Sequence, residues 1–455
     1  MLYTLKNLAK RILPQSYLRK IRPLYHGRLA AFASVYYGKP SDRLIVIGVT
    51  GTNGKTTTVN LIAKILEEAG FKTGFTSTVN LNVLGETTLN NEKMTMPSGL
   101  LLQKWLKHMV QRGCQYAVIE VSSEGLAQRR HLGINFDVIV FTNLTPEHLE
   151  SHGGFENYKK AKAILFQSLT KHPLTAEKKR INPKIQKTIV ANIDDEFGSY
   201  YLNFKATKHV TFGVKTIDAT YPATEVQYSP EGLEFTIYDL RFTIHLKGQF
   251  DVYNSLAAIA ATVSLGVPLE AAKHALEKID VIPGRVEVLR ATPFTVVVDY
   301  AYEPEEMRQL YETIKRWPHK NIIQVLGPCG GGRDSARIGV LGDMAGSFAQ
   351  TVVVTTDDPY DDDPAVMGQE MCRHASTQGK TTGQNLFMEL DRRKAIAKAL
   401  SLAQTGDIVL ITGKGADQKM ALAKGRYEPW DDRTVVREEL THAVSSRSPS
   451  RDPDS

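Results

Sequence analysis

Cysteine is nearly absent from this chain of 455 residues: Cys114, Cys329 and Cys372 stand far apart and form no Cys-x-x-Cys pair. That excludes a disulfide framework and a cysteine-based zinc site, and the thiols read as incidental residents of a reducing compartment. Long apolar runs are missing as well. No stretch approaches the roughly 18 consecutive apolar residues of a membrane span, and the start Met1-Leu-Tyr-Thr lacks the charged-then-apolar pattern of a signal peptide, so a cytoplasmic protein is expected. Neither sign of charge dominates the bulk of the chain. The formal net charge of +7 is concentrated in residues 1–43, where nine Lys or Arg (Lys6, Lys10, Arg11, Arg19, Lys20, Arg22, Arg28, Lys39, Arg43) face one acid, Asp42. A globally basic nucleic-acid binder is therefore disfavoured, and a basic N-terminal arm is what remains.

With 42% hydrophobic and 23% charged residues the composition is that of a globular protein, and the length suits two or three domains. The arm mixes Leu, Ile, Tyr and Phe with its basic residues at loosely helical spacing, broken by Pro14 and Pro23. It reads as two short helices docked on the main body, with a basic face open to solvent or to weak contact with anionic lipid or a phosphate-bearing substrate. From Arg43 strands and helices alternate. Leu44-Ile-Val-Ile-Gly-Val49, Tyr116-Ala-Val-Ile-Glu-Val121, Val138-Ile-Val-Phe141 and Lys187-Thr-Ile-Val-Ala191 are buried-strand runs, which argues for an open parallel sheet covered on both faces. Residues 205–247 read as antiparallel strands attached to it. A turn cluster at Val281-Ile-Pro-Gly-Arg285 precedes a second alternating series, and a Ser/Arg/Asp/Pro-rich tail, 441–455, closes the chain.

The chemistry begins between the first strand and the first helix, at Gly48-Val-Thr-Gly-Thr-Asn-Gly-Lys-Thr-Thr57. Gly51 and Gly54 let backbone amides close on phosphate oxygens, Lys55 brings a point charge to them, and Thr56 offers a hydroxyl to Mg²⁺. The spacing is tighter than in the common phosphate loop.

This segment resembles the ATP loop of the Mur ligases, which build the peptide stem of bacterial wall precursors. Further segments match that family in order: Glu120-Val-Ser-Ser123, as in the MurE-like branch that adds the third stem residue; Thr142-Asn-Leu-Thr-Pro-Glu-His-Leu-Glu-Ser-His-Gly153; Tyr158-Lys-Lys-Ala-Lys-Ala-Ile-Leu-Phe166; Pro283-Gly-Arg285; Asp299-Tyr-Ala301; Gly330-Gly-Gly-Arg-Asp334; Asp357-Asp-Pro359; and Gly413-Lys-Gly415. The resemblance implies a P-loop-containing central α/β domain (44–284) after the arm (1–43), then a second, Rossmann-like α/β domain (285–440) that brings the amino acid and closes over the nucleotide.

It also implies ATP and Mg²⁺ held by Gly51, Thr52, Asn53, Gly54, Lys55, Thr56 and Thr57. Thr56 and Glu120 would ligate one metal; His148 and a carbamylated Lys162 would serve a second, so that Lys55, Glu120, His148 and Lys162 form the catalytic set. Asn254 would lie near the adenine, and Arg285 and Asp299 would reach the nucleotide. Thr95, Ser98, Ser122 and Arg130 would face the muramoyl peptide, and Arg333, Asp357, Asp358 and Asp417 the incoming amino acid. The reaction implied joins a carboxylate to an amine through an acyl phosphate, which requires cations because two anions must meet.

Departures bear on the substrate. Family members that add diaminopimelate carry DNPR, whose Arg pairs with the extra carboxylate; here the segment is Asp357-Asp-Pro-Tyr360 followed by acids, so a lysine-like amino acid is favoured. Asp417 stands where the family has Glu, Tyr302 where it has His, and Asp251 where it has Asn. About 43 residues precede the loop, where a uridine-binding domain of about a hundred is usual, so either the nucleotide tail of a UDP-muramoyl-peptide is held differently, by Arg19, Lys20 and Arg22, or the substrate is a related precursor that lacks it. A free amino acid completes the substrates, and a monomer is expected. The other readings are the Mur-like subunit of a lipid II amidating complex, which usually carries a four-cysteine zinc ribbon, and a nucleotide-binding scaffold at the membrane that has lost catalysis.

Overall fold

The computed structural model describes residues 15–90, 94–147, 152–290, 292–331 and 335–445, without the side chains of 15–20, 89 and 443–445. These residues form two compact units, one reaching Val226 and including Glu234–Thr243 and Phe250–Lys278, the other comprising Gln227–Leu233, Ile244–Gln249 and the chain from Ile279.

In the first unit α1 (Gln15–Tyr36) runs as one helix through Pro23, where the sequence predicts a break; the part of the arm before Gln15 lies outside the described residues. An interior proline costs a helix about 3 kcal/mol, and close packing offsets it. Gly27, Ala30 and Ala33 are buried, and a Cβ built on Gly99 would come within 2.4 Å of Ala30 Cβ. The run after Arg43 forms β1 (Ile45–Thr50), buried at every residue. A tight loop leads into α2 (Lys55–Glu68). The sheet continues with β2 (Thr73–Thr76), β3 (Asn80–Val83), β4 (Glu86–Leu89), β5 (Tyr116–Glu120), β6 (Val138–Phe141), β7 (Thr188–Asn192), β8 (Lys208–Gly213) and β9 (Tyr221–Pro222), in the order β4-β3-β2-β5-β1-β6-β7-β8-β9. Only β3 and β4 at one edge run antiparallel to their neighbours. Because β1 lies between β5 and β6, parallel to both, the loop after it opens where the strand order reverses, the usual place for a ligand in such sheets.

Within 205–247 β8 departs from the antiparallel expectation, pairing in parallel with β7; β10 (Thr224–Ser229), β11 (Gly232–Ile237) and β12 (Leu240–Ile244), joined by two-residue turns, form a three-stranded sheet of their own rather than an extension of the large one. Strand β8 lies near the sheet edge with residues only partly covered, so its sequence alternates as an antiparallel strand would. Around the sheet stand α3 (Gly99–Gln111), α4 (Ser123–Ala127), α5 (Phe155–Ser168), α6 (Asp251–Ser264) and α7 (Leu269–Glu277).

The second unit has a six-stranded sheet, order β13-β14-β18-β15-β16-β17, made of β13 (Glu287–Arg290), β14 (Thr295–Asp299), β15 (Ile322–Leu326), β16 (Thr351–Val354), β17 (Leu386–Met388) and β18 (Ile408–Thr412). Strand β13 is antiparallel to β14; the remaining neighbours are parallel. The C-terminal ends of β14, β16 and β18 lead into Asp299, Asp357 and Lys414, so the topology alone gathers these residues at one edge. Among the described residues no helix is long and apolar enough to cross a membrane.

Candidate active site

The loop Gly51–Gly54 is clamped by the strand ends around it. A Cβ on Gly51 would lie 1.9 Å from Thr142 Oγ1, and one on Gly54, whose φ is +79°, 2.1 Å from Asn254 Oδ1. No side chain fits at either position. The Asn53 amide donates to Asn143 Oδ1 (2.8 Å), while Asn143 Nδ2 and the Thr142 hydroxyl donate to Asn53 O (3.1 and 2.7 Å). Thr52 Oγ1 accepts from the Thr145 amide at 3.0 Å and lies 3.0 Å from the Tyr158 hydroxyl. Asn254 is buried and donates to Asp251 Oδ1 at 2.9 Å, so its amide is fixed against the start of α2. Asn143 and Tyr158 lie within the matched segments but carry no role in the expected set; the asparagine and the aromatic hydroxyl were the available signals.

Strand register places Glu120 beside Val49, two residues before the loop begins at Gly51. Its carboxylate is 1% exposed. Oε2 accepts from the Thr56 hydroxyl (3.0 Å) and the Thr78 amide (2.8 Å), and Oε1 lies 2.9 Å from the Thr78 hydroxyl, which is also 3.1 Å from Thr95 Oγ1. Among the described residues no Lys or Arg pairs with it. A buried carboxylate held only by neutral donors, with a threonine hydroxyl beside it, fits a divalent cation, because otherwise its charge stays uncompensated. Nothing in the sequence around Thr78 marks it as the residue that orients this acid.

Two lysines meet the same loop. Lys55 Nζ donates to Thr52 O at 2.5 Å, and Lys162 Nζ, from α5, donates to Gly51 O at 2.6 Å and lies 4.5 Å from the centre of the Tyr158 ring. Lys162 is 1% exposed. Burial, reinforced by the neighbouring Lys55 ammonium and opposed by Glu147, holds the Lys162 amine well below the usual lysine range. The helix that carries it also brings Tyr158 to Thr52. His148 lies outside the described residues. Nearby, His152 Nε2 lies 3.1 Å from Ser123 Oγ, and burial lowers its basicity.

The residues expected to face the peptide already have partners within the fold. Ser98 and Ser122 accept from the Leu101 and Gly125 amides as caps of α3 and α4. Arg130 is buried and donates to Met96 O (2.6 Å) and Gln128 Oε1 (2.7 Å).

In the second unit Asp299 accepts from the Val286 and Ala301 amides, each at 2.7 Å, and burial raises its carboxyl above the usual range against the pull of Arg285. The Arg285 guanidinium lies over the Tyr300 ring at 4.7 Å. Lys414, 1% exposed, donates to Asp358 Oδ1 (2.9 Å), Asp417 Oδ2 (2.8 Å) and Lys419 O (2.6 Å). Burial works against its charge, but the Asp358 and Asp417 carboxylates prevail and hold it above the usual lysine range. Asp357 is buried beside this group, and burial raises its carboxyl. Arg392 is tied to Asp432 at 2.7 Å and to Thr412 O. Arg333 lies outside the described residues.

Two family models match the chain, the Mur ligase middle domain over residues 49–262 and the Mur ligase glutamate ligase domain over 284–415. A UDP-N-acetylmuramoyl-L-alanyl-D-glutamate–2,6-diaminopimelate ligase of Geobacillus thermodenitrificans is 35% identical over 415 residues, 90% of this chain and 81% of the relative. A UDP-N-acetylmuramyl-tripeptide synthetase of Roseiflexus is 36% identical over 423 residues, again 90% and 81%. A solved structure of a UDP-N-acetylmuramoyl-L-alanyl-D-glutamate–2,6-diaminopimelate ligase aligns at a TM-score of 0.58 and 31% identity, covering 88% of this chain and 79% of the other.

Proposed function

The chain belongs to the Mur ligase family, whose members are ATP-dependent ligases forming carbon–nitrogen bonds, and from that premise we propose that it joins the free carboxylate of a muramoyl-dipeptide precursor to the amine of an amino acid in the cytoplasm. The observation that carries this reading is the convergence of Lys55, Thr56, Glu120 and Lys162 on one preformed phosphate loop in the first unit. The acceptor carboxylate attacks the γ-phosphorus of ATP, ADP leaves, and an acyl phosphate forms. The amine then attacks its carbonyl carbon, phosphate departs with the bonding pair, and the amine nitrogen loses a proton.

Each residue has a part in overcoming the repulsion of the two anions. The loop amides and the Lys55 ammonium take up phosphate oxygens, Lys55 exchanging its bond to Thr52 O for one to phosphate. Thr56 and Glu120 would hold Mg²⁺, which when bound neutralises charge on the transferring phosphoryl group. Lys162, whose amine burial holds well below the usual lysine range, adds that amine to CO₂ and releases a proton, becoming a carbamate. That converts a donor into an anionic oxygen ligand on the wall of the same loop.

The amino acid favoured is lysine-like. Tyr360 stands where a guanidinium would meet a second carboxylate, and among the described residues four buried or half-buried carboxylates, Asp357, Asp358, Asp417 and Asp432, stand with two cations, Lys414 and Arg392. Excess negative charge suits a cationic side chain. The acids that follow weigh less, because Asp361, Asp362 and Asp363 each accept from a nearby backbone amide.

The test is phosphate release from ATP with UDP-muramoyl-dipeptide and a panel of amino acids, with products weighed by mass spectrometry. Release that needs both the acceptor and an amino acid, with a mass gain of one residue, is expected. Nucleotide binding without turnover would overturn the ligase reading, and faster joining of diaminopimelate than of lysine would overturn the lysine preference alone.

A further inference from the structure

One surface of the first unit takes no part in this chemistry. On α1 the side chains of Ile21, Leu24, Tyr25, Phe32, Val35 and Tyr36 are 38–70% exposed. At 100° per residue these positions share a stripe about 120° wide, with Arg28 inside it. The opposite face carries Gly27, Ala30, Ala33 and Ser34, all buried. The helix thus turns its small residues inward and its large apolar ones to solvent, the reverse of what burial in its own unit would select, and a contiguous exposed apolar patch marks an interaction site. Its charge is equally one-sided. No Asp or Glu occurs between Gln15 and Tyr36, and residues 1–43 hold nine cations against Asp42.

We propose that this stripe seats α1 on an anionic lipid surface, with the aromatic and aliphatic side chains entering the headgroup boundary and Arg22 and Arg28 on the lipid phosphates. Charge complementarity selects this occupant. A second copy docked through the same stripe would bring two basic arms together, whereas an anionic bilayer attracts their charge. The inference is independent of the ligase reading, since it uses no residue of the phosphate loop.

The full chain is sedimented with vesicles of phosphatidylglycerol and phosphatidylcholine, and with vesicles of phosphatidylcholine alone, at about 0.05 M and about 0.5 M salt. Binding to the anionic vesicles at low salt and release at high salt are expected. Arg28→Glu changes the charge by two and should weaken partition roughly 30-fold. The double variant Phe32→Ser/Tyr36→Ser should weaken it about ten-fold or more, with an unchanged melting temperature because both side chains are exposed. Equal binding to neutral and anionic vesicles, or full binding by the double variant, overturns the proposal. So does a dimer seen by light scattering that the double variant dissolves, in the absence of any vesicle binding, which would give the stripe to a second copy.

Discussion

Replacing Gly54 with alanine measures how tightly the phosphate loop is prebuilt. The residue has φ +79° at the start of α2, a conformation that costs an L-residue about 1–2 kcal/mol. Its new Cβ would lie 2.1 Å from Asn254 Oδ1 and 3.1 Å from Cγ, so the Asn254 amide must turn away. Turning it breaks the 2.9 Å bond to Asp251 and the 3.4 Å contact with the Thr58 hydroxyl, in a place where water does not readily substitute. A buried polar group left unsatisfied costs about 1–3 kcal/mol. The two contributions together come to about 3 kcal/mol, which for a unit of this size lowers the melting temperature by about 6–12 °C. Calorimetry reads that shift, and nucleotide titration reads the accompanying loss of affinity. Because only part of the cost is a clash, adding Asn254→Gly should cost much less in the Gly54→Ala background than in the parent, with a coupling of about 1–3 kcal/mol. A Gly54→Ala protein melting within about 1 °C of the parent, or strictly additive variants, would refute the idea that Asn254 buttresses the loop.

Glu120→Gln keeps the side-chain shape, since the amide nitrogen can occupy the Oε1 position and donate to the Thr78 hydroxyl, but it removes the charge; turnover should fall at least about 100-fold, with a raised Mg²⁺ requirement and a retained fold. Lys162→Ala should lose turnover and regain part of it in the presence of formate or acetate, and full activity without them would remove the carbamate from the mechanism. His131 gives a pH signature in stability. Burial, with Lys171 and Arg129 adding to it, lowers its imidazole to about 4, so between its unfolded value near 6.5 and about 4 the unfolded chain binds the extra proton. Stability is then fully present above about 6.5 and declines as pH falls through that window, by roughly 3 kcal/mol at its end. His131→Gln should flatten that part of the profile, and chemical denaturation at several pH values would reveal it.

The order of strands and helices was legible because apolar runs rich in Val and Ile and the Gly-rich turn are local signals, and the same turn fixed the phosphate loop with Lys55 and Thr56. Partners distant in sequence were not. Thr78 orients Glu120 across 42 residues and carries no mark of its own. Pro23 read as a break, yet α1 runs through it, because the tight contact of Ala30 with Gly99 is a tertiary fact. Ser98 and Ser122 have a structural part as well, since both hydroxyls accept from backbone amides as helix caps and keep a proton to donate. For β8 the alternating pattern recorded solvent exposure near a sheet edge, a signal that parallel and antiparallel strands share there.

The two lysines on the loop order the proposed chemistry. Lys55 and Lys162 bond to adjacent stretches of the same backbone, at Thr52 O and Gly51 O, and burial, reinforced by the Lys55 charge, holds the Lys162 amine well below the usual lysine range. An arriving triphosphate draws the Lys55 ammonium to itself and adds negative charge beside the loop, and both changes favour protonating Lys162. Only the neutral amine reacts with CO₂. On the reading proposed above, Lys162 therefore acquires its carboxylate while the loop is empty of nucleotide, and the same Lys55 charge that receives the phosphates has first added to the burial that lowers that amine's basicity.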